Sequence, residues 1–219
     1  MMKALWGLIQ LLFFALLLAL VFHNYLARKG LDFYLQSSLG MPVEIESAQV
    51  DLLGSKIFFR NILIHNPPDF PEGLMVKIPY LSMDLNPKAF SDGKVRFEKI
   101  EVDVGDFKIL RLPDSRVNWR HLKMIRDARE EGPGMPRGKP RIQIAHFILT
   151  LRQGTYRDLT QGGKGKNYVF DVDRQDYLNV HTLKDMVYII SWEAFKRMGL
   201  ERLSDGVLDQ IREDLEGGH

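Results

Sequence analysis

The side chains best suited to catalysis or metal binding are six histidines and a short run of aspartates. The histidines are His23, His65, His121, His146, His181 and His219. No two share the i, i+4 spacing of one helix face or the i, i+2 spacing of one strand face, so a metal site would have to be assembled from distant segments. His146, inside an apolar segment, reads as a satisfied core residue. Asp171, Asp173 and Asp176 resemble part of a calcium loop, but the turn glycine and the distal glutamate are missing, which leaves a solvated strand edge. Gly162-Gly163-Lys164-Gly165-Lys166 has glycines and lysines without the spacing or the Ser/Thr of a phosphate loop, and reads as an exposed hairpin loop. No serine has a Gly-x-Ser-x-Gly setting. The chain has no cysteine, which rules out disulfides, thiolate metal sites and cysteine nucleophiles within it. The expectation is a protein without catalytic residues, metal or cofactor.

With no point site to serve, the elements themselves become the subject. Hydrophobic residues make up 45% of the 219, a globular proportion. A formal net charge of +2 is too mild to argue for nucleic acid. From Ala4 to Phe22 the only polar side chain is Gln10. The run contains Leu5, Trp6, Leu8, Ile9, Leu11, Leu12, Phe13, Phe14, Leu16, Leu17, Leu18, Leu20, Val21 and Phe22. As a helix it would be about 28 Å long, close to the hydrocarbon thickness of a bilayer. Trp6 and Tyr25 fall near its ends, where aromatic rings favour the interface. A cleavable signal peptide is the rival reading, but it wants a small residue where Tyr25 precedes Ala27. An uncleaved single-pass anchor is the expectation. Lys3 and the amino terminus nearly balance Arg28 and Lys29, so charge does not orient it.

Leu31 to Leu39 predicts a short amphipathic helix, stopped by Gly40 and Pro42. Strands are expected at Val43–Glu46, Lys56–His65, Leu74–Leu85 with a change of phase after Pro79, Arg96–Val104 and Phe107–Leu112. Turn chemistry separates them, and the spacing suggests an antiparallel meander with one apolar face. A helical turn is expected over Trp119–Arg129, then a Gly/Pro-rich loop at 130–140. Between Arg111 and Arg141 nine Lys/Arg stand against four Asp/Glu, either a solvated face or a contact for anionic head groups. Strands resume at Arg141–Arg152, Tyr168–Val172 and Asp176–Val180. Apolar residues on both faces of the first of these imply burial on both faces. Thr182 and Asp185 look like a capping box for a helix with Leu183, Met186, Ile190, Ala194 and Met198 on one stripe, ending at Gly199. Ser204 can start a last helix whose other side is acidic.

The fold class is therefore α+β: an N-terminal transmembrane helix, then a mainly antiparallel, curved β-sheet with C-terminal helices packed on it. The parts are an anchor with its flanks (1–29), a β-rich module (30–129), the loop (130–140), a continuation of the sheet with its covering helix (141–203) and an acidic tail (204–219). Strands this rich in Ile, Phe, Val and Met leave an apolar face to be covered. Phe58, Ile62, Val76 and Ile78 are the candidates for a groove on it, which could shelter acyl chains or dock a partner protein.

Several short motifs occur in a set order. After the anchor and short helix, the strand pair ends in Asn66-Pro67-Pro68-Asp69-Phe70, similar to an Asn-Pro-x-x-Phe turn. Phe97-Glu98-Lys99-Ile100-Glu101-Val102 and Asp114-Ser115-Arg116-Val117-Asn118-Trp119 follow, the latter with Ser115 where Gly is usual. A later strand ends Gly154-Thr155-Tyr156-Arg157-Asp158. In this order the chain resembles the AsmA-like family of bacterial membrane-anchored proteins, related to TamB and to bridge-like lipid-transport proteins, as a short single-module member. The resemblance implies inner-membrane anchoring with the bulk of the chain in the periplasm. It also implies a role in cell-envelope biogenesis or lipid homeostasis, and it implies no catalytic residues. Asn66, Pro67, Phe70, Asn118, Trp119, Gly154, Tyr156 and Asp158 would then be architectural. The alternative is an adaptor that carries no lipid and binds a partner through its C-terminal helices.

Overall fold

The computed structural model describes residues 2–71, 73–86, 95–123, 125, 142–163, 165–178 and 180–200. The first helix, α1, runs unbroken from Met2 to Leu39. The apolar run and the expected short helix are thus one element. Nothing between them can stop a helix: there is no proline, and Gly30 has open space around it, so its cost of about 1 kcal/mol is the only penalty. Gly40 ends the helix in the left-handed region at φ 69°, and its N–H donates to Gln36 O at 2.9 Å.

Seven strands follow: β1 (Val43–Asp51), β2 (Lys56–His65), β3 (Leu74–Leu85), β4 (Val95–Val104), β5 (Asp106–Arg111), β6 (Ile142–Asp158) and β7 (Gly165–Tyr177). They form one sheet. β1, β2, β3 and β4 pair antiparallel in chain order, and β7 pairs antiparallel with β6. The meander breaks at β6, which lies parallel to both β4 and β5. Val104 pairs with Leu151 and Phe107 with Gly154 at one constant offset. β4 and β5 are therefore two halves of a single long strand interrupted at Gly105. A parallel neighbour needs a crossover, and residues 112–141 supply the chain length for it. Within that crossover a 3-10 turn runs over Asn118–His121, Lys123 and Ile125 are α-helical, and the rest of the helical turn expected over Trp119–Arg129 lies outside the described residues. The loop expected at 130–140, residues 87–94 between β3 and β4, and the helix expected from Ser204 lie outside the described residues.

The second long helix, α2 (Leu183–Met198), has the capping box expected of Thr182 and Asp185, and Gly199 closes it at φ 65°. It packs on β6 and β7, while α1 packs on β1. The protein is thus a mixed α+β structure with a large, mostly antiparallel sheet and a C-terminal helix on it. The two segments expected as separate strands at 168–180 are one strand, β7, with Val180 bridging to Ile144 beyond its end.

The sheet has one apolar face, but alternation alone does not trace it. In β1 the inward positions are Val43 and Ile45, then Ala48 and Val50; in β2 they are Phe59, then Ile62 and Ile64. In β4 and β5 they run to Val104 and resume at Phe107; in β6 they run to Leu151 and resume at Gly154. Five neighbouring rows change phase within a few residues of one line. The residues on it are special: Asn61 is left-handed at φ 48°, Pro79 lies opposite it, and Gly105 sits where a Cβ would fall 2.8 Å from Pro79 Cγ. β6 makes another such step after Ile144, with Ala145 and His146 both exposed before Phe147. This corrects the expectation of burial on both faces of β6: apart from Ile148, half-buried on the charged face, its apolar residues follow one face through changes of phase. The other face carries a ladder of charge, Lys56–Asp84 at 3.1 Å, Lys99–Glu101 at 3.5 Å, Arg152–Asp103 at 2.6 Å and Arg174 on Glu101.

Candidate functional site

α1 and α2 cover opposite flanks of the apolar face and leave its centre to a cleft of about 170 Å³. Leu31, Tyr34, Leu35 and Leu39 of α1 form one wall, and Leu183, Met186, Val187, Ile190 and Ser191 of α2 the other. The floor is Ile62 and Ile64 of β2, Val76, Ile78, Leu81 and Met83 of β3, Phe97, Ile100 and Val102 of β4, and Phe107 of β5, with Ile142 and Ile144 of β6 beside them. From Val76 to Met83 the floor follows about 23 Å of strand. Among the described lining residues Tyr34 and Ser191 bring the only side-chain hydroxyls, and Ser191 Oγ already accepts from Trp119 Nε1 at 2.8 Å. Such a lining gives water too few partners; an apolar cavity of about 150 Å³ stays dry and admits an apolar guest.

Three of the four groove candidates, Ile62, Val76 and Ile78, line the cleft. Phe58 does not. It pairs with Ser82 in the row next to Lys56 and Asp84 on the charged face, and its ring packs against Tyr80 with centroids 6.2 Å apart. The dense Ile-Phe-Phe run does not reveal by itself which phenylalanine points inward. Phe59 does, because the change of phase at Asn61 keeps it on the same face as Ile62. The covering helix was expected, but its residues and those of α1 were not among the groove candidates, since the distance between α1 and α2 depends on pairings far apart in the chain.

The motif residues gather at the end of the sheet opposite the Leu52–Ser55 hairpin. Asn118 is fully buried and uses both ends of its amide. Its Oδ1 accepts from Leu110 N at 3.0 Å and from Trp119 N at 2.9 Å, while Nδ2 donates to Lys108 O at 3.0 Å and to Asn66 Oδ1 at 2.9 Å. Asn66 Nδ2 in turn donates to Pro71 O at 3.2 Å. Two asparagines 52 positions apart thus tie the β2–β3 turn to the crossover. Pro67 is buried in that turn, and Phe70 stands edge-on to His121 at 5.1 Å. Trp119 lies under α2, with its ring 5.0 Å from Phe195. Gly154 leaves room for Phe170, whose ring a Cβ would meet at 2.3 Å. Tyr156 OH donates to Asp158 Oδ2 at 3.1 Å. Hydrogen bonds from the Thr160 hydroxyl and then its N–H hold the Asp158 carboxyl below the usual range against some desolvation, and Tyr156 and Arg111 add to the effect.

The chemistry-bearing residues stay dispersed. His146 is exposed, not a core residue, because the step in β6 turns it outward; its Nδ1 lies 2.8 Å from Asp176 Oδ2. Asp171, Asp173 and Asp176 lie exposed along β7. Among the described residues no group of three His, Asp or Glu is placed to hold a metal ion. Gly162 and Gly163 form the turn between β6 and β7. Of the expected anchor, Trp6, Leu11, Leu12, Phe14 and Phe22 are exposed on α1. The side chains of Leu5, Leu8, Ile9, Phe13, Leu16, Leu17, Leu18, Leu20 and Val21 lie outside the described residues. Among the described residues no helix is long and apolar enough to cross a membrane.

No protein family, characterised protein or solved structure matches the chain.

Proposed function

We propose that this is a membrane-anchored, AsmA-like protein of the bacterial envelope that shelters a lipid acyl chain in the cleft between α1 and α2, with no catalytic step. The carrying observation is the cleft itself, apolar on floor and both walls and built partly by the helix that begins with the apolar run. An acyl chain asks for such a site: dry, elongated and without charge partners. The AsmA-like reading is supported by Ser115, left-handed at φ 69° at the motif position where Gly is usual, and by the Asn66–Asn118 bond that joins two of its motifs. The span by residues 4–22 rests on their length and apolarity. The periplasmic location of the sheet rests on the resemblance alone, and a C-terminal reporter active only in the periplasm checks it. For the cleft, lipid extracts of the detergent-purified full chain are analysed by mass spectrometry. Lipid should accompany the wild type and Phe58→Ala, whose change is on the charged face. It should be lost from Ile78→Glu/Met83→Glu, folded by circular dichroism. A wild type free of lipid, or a double variant that retains it, would overturn the reading.

A further inference from the structure

The hairpin between β1 and β2 offers apolar side chains that no described residue covers. Leu53 is fully exposed and Leu52 more than half exposed. The turn is ordered: Asp51 Oδ1 accepts from Gly54 N at 2.9 Å, Ser55 is left-handed at φ 53°, and Leu85 N donates to Ser55 O at 2.8 Å. A Cβ on Gly54 would lie 2.3 Å from Asp51 Oδ2, so a larger residue there would displace that exposed carboxylate from its turn bond.

Three bonds fix the height of this hairpin against α1. Gln36 Nε2 donates to Val43 O at 3.1 Å, Arg28 Nη1 to Glu46 O at 3.0 Å, and Val50 N to Asn24 Oδ1 at 2.7 Å. β1 thus runs down beside α1 toward its N-terminal half. Val50 is level with Asn24, and Leu53 lies up to about 10 Å further along the strand direction, abreast of the end of the apolar run at Phe22. Phe22, Tyr25 and Leu26 of α1 are exposed at this same height.

We propose that Leu52 and Leu53 enter the bilayer beside α1 as a second membrane contact, which holds the β1 edge of the sheet against the lipid surface. The proposal rests on the reading that residues 4–22 span the membrane. The occupant is lipid because the hairpin ends where that apolar run ends. The chain has no cysteine, so a single nitroxide-labelled cysteine can report depth. Leu53→Cys, Phe14→Cys and Asp69→Cys are made in the full chain and reconstituted in equimolar phosphatidylethanolamine and phosphatidylglycerol vesicles. Collision rates with oxygen and with a water-soluble nickel chelate are then compared. The expected result is a label at 53 that is oxygen-accessible and nickel-shielded, like that at 14 and unlike that at 69. A nickel-accessible label at 53 beside a lipid-buried one at 14 would overturn the hairpin contact and leave the anchor standing. Nickel access at both would overturn both. Shielding of position 53 from oxygen and nickel alike would mean a protein covers it, and would also overturn the proposal.

Discussion

Asn118 is the residue on which most separate parts of the chain converge. Its amide satisfies three backbone groups and one side chain in a fully buried position. Truncation leaves buried N–H and C=O groups without partners, so Asn118→Ala should cost about 3 kcal/mol in denaturant unfolding. Asn118→Asp should not rescue it, because a carboxylate cannot donate to Lys108 O or Asn66 Oδ1. Asp158 shows the other way a motif residue contributes. Its folded pKa is depressed, so its share of stability is present above the unfolded value of about 3.9 and is lost as pH falls through the folded value. In acid titrations followed by circular dichroism, Asp158→Asn should lack that share of stability at neutral pH and show a shallower loss below pH about 4. Both residues stood out in the sequence as motif members. That Asn118 bonds Asn66, itself a motif residue, was not legible, because the two meet only when β5 pairs with β3.

At the scale of elements, the legible part is what local pattern dictates. β2 and β3 have the ends expected from their turn residues, and the capping box at Thr182 begins α2 as expected. Apart from the fusion of the apolar run with Leu31–Leu39 into α1, which is local, the missed parts involve distant partners: the parallel β6, the union of β4 with β5 against it, and the exposure of His146. A period of two assigns faces only while the strand stays regular. The phase change after Pro79 was visible in β3, but its continuation through Asn61 and Gly105 depends on register. Gly105 is where that line is most tightly packed, since a Cβ would press on Pro79. Gly105→Ala should therefore destabilise by about 1–3 kcal/mol, whereas Gly30→Ala, in a helix with open space around it, should be neutral or stabilising by up to about 1 kcal/mol. Equal effects in urea unfolding would contradict the packing argument.

The whole molecule has two unlike ends. One holds the Asn66–Asn118 bond and, separately, the contacts of Asp158 with Tyr156 and Thr160; the other carries Leu52 and Leu53, level with the last turns of the apolar run. α1 joins them, and its integrity decides between an anchor and a signal peptide cut after Ala27. Such a cut would fall between Asn24 and Arg28, which both bond to β1, and would separate Val50 N from its acceptor. It would also detach the cleft wall at Leu31 and Leu35 from the apolar run of the same helix. Contacts from both sides of the cut to β1 favour the proposed anchor over a leader. The expected outcome is that protein from membranes washed at high pH keeps residues 4–28, recovered as peptides by mass spectrometry, and stays with the pellet. A mature chain beginning at Arg28 and released by the wash would defeat the anchor, and with it the second contact at the hairpin.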